Sequence, residues 1–257
     1  MKKYVLILII VLLNGTIYSQ CTLNQSGGNY SNALTSTGNN SIDNVLKSEK
    51  SKLEEFFNVK VDLKIVSGSN GIAMSSCKAY NCNGTIELGN HLLIHEFKKL
   101  GPNTKTALGK NMVIAIMAHE FAHIFQYTHL KFKFKNAVIQ EIHADMLAGW
   151  YMVQHLIRES GVEVEVSYRY IFNDRTKVRE IDRNFSDLKV AFGWMGDEEY
   201  WSPQHHGDFI TRVDAFGELW WCMNGSPVQI PCLDISDWLK NSVWLAEQKY
   251  YSIIKRR

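Results

Sequence analysis

Apolar positions change their period several times along the chain, and each change marks an element. From Ser41 to Asn58, the residues Ile42, Val45, Leu46, Leu53, Phe56 and Phe57 recur at near-helical spacing. This predicts a helix with Ser41 as its cap. From Val59 to Val66 the pattern alternates, with Val59, Val61, Leu63 and Ile65 on one face, which predicts a strand. Two more extended runs, Gly71 to Ser76 and Thr85 to Leu88, flank Asn83-Gly84 and read as a hairpin. Asn90 to Leu100 predicts a short helix stopped by Gly101-Pro102. The strongest helical stretch runs from about Thr104 to Tyr127. Its middle, Met112 to Ala118, is almost wholly apolar, so this helix is expected to be buried on most sides. A basic-aromatic connection from Lys131 through Phe132, Lys133 and Phe134 to Lys135 leads into a second long helix, from about Asn136 to Ser160. The rest, Gly161 to Arg257, mixes helical segments with Trp-rich loops, and no internal repeat is visible. The expected fold class is α+β: a small mixed sheet packed on two long helices.

The N-terminus departs from this picture. Lys2 and Lys3 precede an apolar run from Tyr4 to Leu13, too short to span a bilayer and suited to the core of a signal peptide. Ser19 is a small residue fit to precede a cut, which divides the chain into a signal peptide at 1–19, a Ser/Thr/Asn/Gly-rich flexible leader at 20–40 and one domain at 41–257. The expectation is a secreted or periplasmic protein with no membrane span. Cys21 raises the alternative of a lipid anchor, although Gln20 before it is a poor match to such signals.

Composition narrows the function classes. The 46% hydrophobic content of the 257 residues excludes a disordered chain. Without Lys2 and Lys3 the basic count falls from 28 to 26, equal to the 26 acidic residues. No basic field is left for nucleic acid, so none is expected as a partner. Cys77 with Cys82 and Cys222 with Cys232 form two close pairs, which in an exported chain read as disulfides. Neither pair has the two-residue gap of a zinc knuckle.

The chemistry sits in the buried helix. His119 and His123 are four residues apart, which on an α-helix places both imidazoles within reach of one ion. Glu120 stands beside them, where it can reach a water on the metal without displacing it. Catalytic zinc takes three protein ligands, and the next helix offers Glu141, His143 and Asp145. Glu141 and Asp145 share a face, while His143 points away from them. Glu141 as ligand leaves Asp145 one turn along, able to receive the second ring N–H of a ligating histidine. His143 then reads as a packed or solvated histidine, and His129 as a structural residue of the connection.

The sequence Ala118-His119-Glu120-Phe121-Ala122-His123, followed by Glu141-Ile142-His143-Ala144-Asp145, resembles the glutamate-type zincins, or gluzincins. The likeness is to peptidases with a Glu-x-x-Ala-Asp second helix: the CAAX-processing and heat-shock-type membrane zinc peptidases and the bacterial neutral zinc metallopeptidases. It spans roughly Asn70 to Tyr151, and Asn70-Gly71-Ile72-Ala73 loosely matches the family's strand before the catalytic helix. The resemblance implies Zn2+ held by His119, His123 and Glu141, Glu120 as general base, and Asp145 braced against a ligand. It also aligns His206, Gly207 and Arg212 with a His…Arg segment of the family. There His205 or His206 would stabilise an oxyanion or brace the site, the other reading being loop histidines with a structural Arg212. The chain lacks the spanning helices of the membrane members, so their substrates do not carry over. The expected protein is a zinc peptidase acting on a peptide or protein substrate, with Thr85 to Leu88 as the sheet edge onto which an extended peptide adds. The rival reading is a non-catalytic zinc-binding surface or partner-binding protein.

Overall fold

The computed structural model describes residues 19–22, 33–75, 81–99, 107–130, 134, 137–162, 164–166, 170–172, 175–194, 209–223 and 242–248. The apolar run at 4–13, the Gly101-Pro102 stop, most of the basic-aromatic connection, His205, His206, Cys77 and Cys232 lie outside them. Each expected disulfide thus draws at least one cysteine from outside the described residues. Among those residues, no helix is long and apolar enough to cross a membrane.

The fold is mixed α and β, and mostly helical. Strands β1 (Ser19–Thr22) and β2 (Ala33–Leu34) precede helix α1 (Asn40–Phe57), strands β3 (Val61–Val66), β4 (Asn70–Met74) and β5 (Gly84–Gly89), and helix α2 (Asn90–Lys99). Two long helices follow, α3 (Leu108–His129) and α4 (Ala137–Ser160). A two-stranded ribbon of β6 (Val164–Val166) and β7 (Tyr170–Phe172) leads to α5 (Arg175–Gly193) and α6 (Phe209–Met223). A last helical stretch spans 242–248.

Local signals place most of these elements within a few residues of expectation. The cap of α1 is Asn39 rather than Ser41: the Asn39 Oδ1 accepts from the backbone N–H of Ser41 and of Ile42. Asn39 is extended there and so aims its side chain back along the helix start. The helix ends at Asn58, whose left-handed backbone (φ 50°) returns its N–H to the Glu54 and Glu55 carbonyls. The buried stripe Ile42, Val45, Leu46, Leu53 and Phe57 faces the core. His129 proves to be the last residue of α3, not part of the connection, and its ring lies 2.9 Å from the Asn58 carbonyl.

The sheet order is β1-β4-β5-β3-β2. β4 and β5 are the expected antiparallel hairpin, with Ala73 opposite Ile86. β3 pairs with the far side of β5 in parallel, Leu63 opposite Ile86. This corrects one expectation: Thr85 to Leu88 is not an edge. β5 is hydrogen-bonded on both sides, and Thr85, Ile86 and Leu88 are buried. The parallel partner comes from before the hairpin, a non-local pairing that strand periodicity cannot reveal. The stretch read as a leader also supplies sheet: β1 pairs with the outer side of β4, Cys21 opposite Gly71.

α3 is the centre of the molecule. Every residue from Asn111 to Gln126 is buried, as the apolar run around Met112 to Ala118 requires. The helix is packed by α1, α2, α4, α5 and the β4–β5 hairpin, and α4 in turn carries α6. The α4–α6 approach depends on Gly149, where a Cβ would overlap the Phe216 carbonyl oxygen.

Candidate metal centre

α3 and α4 meet along the faces that carry the chemistry. His119 and His123 stand one turn apart on α3 with Nε2 atoms 3.0 Å from each other. Glu141 of α4 closes the triangle: its Oε2 lies 3.2 Å from His119 Nε2 and its Oε1 lies 3.5 Å from His123 Nε2. All three are buried. A tetrahedral ion about 2.0–2.1 Å from each ligand needs neighbouring ligand atoms about 3.3 Å apart. The donors are gathered on that scale, one atom from each residue lying within 4.8 Å of the others, so His119, His123 and Glu141 could hold a single metal ion. They are the one cluster of three or more potential ligands among the described residues.

Each imidazole presents Nε2 to this point, because its Nδ1 is held elsewhere. His119 Nδ1 lies 2.8 Å from Asp145 Oδ1. Asp145 receives a two-pronged bond from Arg212 on α6, Nε to Oδ2 at 2.9 Å and Nη2 to Oδ1 at 2.8 Å. Arg212 is 1% exposed and lies over the Phe192 ring at 4.7 Å. Burial alone would raise the Asp145 pKa, but the Arg212 charge, with His119 and the Arg212 bonds adding to it, outweighs burial and holds the carboxyl below its usual range.

His123 is held differently. Its Nδ1 lies 2.8 Å from Gln126 Oε1. The Gln126 amide nitrogen donates to the Gln140 carbonyl and to His143 Nδ1, both at 2.9 Å. His143 Nε2 in turn lies 2.7 Å from Ser242 Oγ. Burial first, and the electrostatic influence of the neighbouring His123 second, push the His143 pKa down to about 3, so this ring is neutral.

Glu120 is fully buried on α3, with its carboxylate against the backbone of β4: a Cβ at Gly71 would stand 2.8 Å from Glu120 Oε1. Gly71 leaves that space, which gives the Asn70-Gly71-Ile72-Ala73 strand a steric reason for its glycine.

The structure therefore brings together His119, His123, Glu141 and Asp145, and sets Glu120, next to His119 on α3, against Gly71 of β4. It turns His143 to Gln126 and Ser242, and it places Arg212 on Asp145. His206 lies outside the described residues. Sequence reading missed Gln126 and Ser242. Gln126 could have been found as a polar residue within the buried helix, three positions past His123. Ser242 carries no local signal.

A second polar cluster went unread. Glu49 sits on the apolar stripe of α1, seven residues past Ile42, and is 1% exposed. It accepts from Tyr151 Oη and Lys52 Nζ, each at 2.7 Å, with His155 Nδ1 at 3.5 Å. Burial raises its pKa, and the bonds from His155, Lys52 and Tyr151 override that and hold it at about 2.

Comparison with protein-family models, curated proteins and solved structures finds no match to this chain.

Proposed function

We propose that the protein is a zinc-dependent peptidase of gluzincin type. The carrying observation is the buried His119–His123–Glu141 triangle with Glu120 next to His119 on the same helix. Two imidazoles and one carboxylate are a donor set suited to zinc, whereas calcium and magnesium favour oxygen alone. Three protein ligands leave a position open, as catalytic rather than structural zinc requires. The two-helix motif and the bracing of both histidines support the same reading.

Bound zinc would supply Lewis acidity at the scissile carbonyl and acidify water at the site. Glu120 takes the proton of the attacking water and returns it to the leaving amine nitrogen. Asp145 and Gln126 hold the two imidazoles in orientation while this happens. An extended substrate adds at the outer side of β4, the strand against Glu120, rather than at β5. β1 lies on that side, so a substrate peptide takes the place of β1. Export is proposed on the strength of Lys2, Lys3 and the apolar run behind them.

The test is a peptide-library digest by the zinc-loaded protein beside two variants. Glu120→Gln is expected to keep one zinc per chain and lose hydrolysis by a factor of at least about a hundred. His123→Ala is expected to lose the metal, read by elemental analysis. Full activity in Glu120→Gln would remove the peptidase assignment. Zinc binding with no cleavage of any library by the native protein would favour the binding-protein reading instead.

A further inference from the structure

The two ligating histidines are oriented by unlike means, and the His123 arm contains a polarity that can be traced to its origin. An amide side chain can be turned either way, with its oxygen or its nitrogen towards a given neighbour. Gln126 has three partners: His123 Nδ1, His143 Nδ1 and the backbone carbonyl of Gln140. Two of these are ring nitrogens that can donate or accept. The Gln140 carbonyl can only accept. The Gln126 nitrogen must therefore face Gln140, because the reverse orientation would set oxygen against oxygen in a buried site.

That fixed point determines the remaining protons. The nitrogen's second hydrogen goes to His143 Nδ1, which must be unprotonated to receive it. His143 then carries its proton on Nε2 and gives it to Ser242 Oγ. The Gln126 oxygen is left facing His123 Nδ1 and must receive a proton from it. His123 is thereby held as the Nδ1–H tautomer, with the Nε2 lone pair turned towards His119 and Glu141.

We infer that Gln126 is a positioning residue that selects the metal-binding tautomer of His123, with its own orientation dictated by the Gln140 carbonyl and buttressed by His143 and Ser242. The inference rests on the zinc reading above. It assigns to Gln126 the part that Asp145 plays for His119, using a neutral amide in place of a carboxylate.

Gln126→Leu and Gln126→Glu, made in the full chain, separate this role from a structural one. Both variants give up the bond donated to His143; in Gln126→Glu the buried acid faces the Gln140 carbonyl in its protonated form and replaces the amide's bond there with its O–H. Only Gln126→Glu keeps an oxygen to accept from His123 Nδ1. Zinc dissociation constants, read by chelator competition, are expected to rise about 10–100-fold in Gln126→Leu and to stay within about threefold of native in Gln126→Glu. In zinc-loaded protein labelled with 15N-histidine, the His123 Nδ1–H proton should be present in native and Gln126→Glu protein and exchange rapidly in Gln126→Leu. Its resonance is assigned by its absence in His123→Asn. Equal weakening of zinc binding in both variants would overturn the inference, as would native affinity in Gln126→Leu. If Gln126→Leu does not fold, Gln126→Glu decides alone: native affinity with the Nδ1–H proton retained supports the role, and a tenfold loss refutes it. Failure of the native protein to bind zinc would instead remove the metal reading itself.

Discussion

Arg212 offers the sharpest energetic test of how the site is built. Its guanidinium is 1% exposed and spends both Nε and Nη2 on Asp145, which is itself fully buried. Replacing it with methionine keeps an unbranched apolar chain beside Phe192 and strands the Asp145 charge with His119. Removing one partner of a buried ion pair costs about 3–5 kcal/mol, most of it the penalty of the charge left behind. Replacing both partners with apolar residues removes that penalty. In Arg212→Met with Asp145→Leu, the loss among the described contacts is that of the carboxylate beside His119 Nδ1, at about 1–3 kcal/mol. The double variant is therefore expected to be more stable than the single Arg212→Met by about 2 kcal/mol. Urea unfolding at 25 °C with chelator present reads this without a contribution from bound metal. Zinc affinity should move the other way: without Asp145 to hold its ring, His119 binds metal about 10–100-fold more weakly even as the fold recovers. A double variant no more stable than Arg212→Met would show that Asp145 is not stranded when Arg212 goes. A single variant costing under about 1 kcal/mol would refute the pair's role altogether.

Gly71 and Glu49 give two further tests. Gly71→Ala should keep its zinc and lose at least about tenfold in kcat, because the new methyl meets Glu120 Oε1 at 2.8 Å and pushes the carboxylate aside; unchanged kcat would mean that the carboxylate does not work from beside Gly71. Glu49 has a native pKa of about 2 against 4.5 for the free group, so its contribution is fully present above pH 4.5 and is lost as pH falls towards 2. That window corresponds to roughly 3 kcal/mol, and Glu49→Gln should flatten the fall of stability across it in acid-unfolding curves; identical acid profiles in the two proteins would exclude the effect.

How much of this the sequence disclosed depends on how local each cause is. The four helices α1 to α4 were readable because a 3.6-residue period is written within each segment. The candidate ligands His119 and His123, with Glu120 between them, were readable for the same reason, since one helix sets their relation. Glu141 required a neighbour: helical angles separated it from His143 on α4, but only the packing of α4 on α3 brings it to the triangle. The position of β5 was not readable. Its parallel partner β3 lies beyond the hairpin, and nothing in Thr85 to Leu88 distinguishes an inner strand from an outer one. Glu49 interrupts the apolar stripe of α1, a signal that a buried charge needs partners, but its partner Tyr151 is 102 residues away.

The same distinction bears on what the C-terminal third of the chain does. All three candidate ligands lie between His119 and Glu141, so a fragment ending with α4 would contain the whole candidate triad. It would not contain the site. His119 is oriented by Asp145, and Asp145 is fixed by Arg212 of α6, 67 residues further on. His123 is oriented by Gln126, whose partner His143 is fixed by Ser242, 99 residues further on. One arm is charged and the other neutral, yet both leave the α3–α4 pair and end on segments that the sequence pattern could not place. Ligand identity is therefore a property of two helices, while ligand orientation belongs to the whole chain. Since oriented imidazoles bind metal more tightly than free ones, the segments carrying Arg212 and Ser242 are parts of the candidate metal centre although neither belongs to its triad.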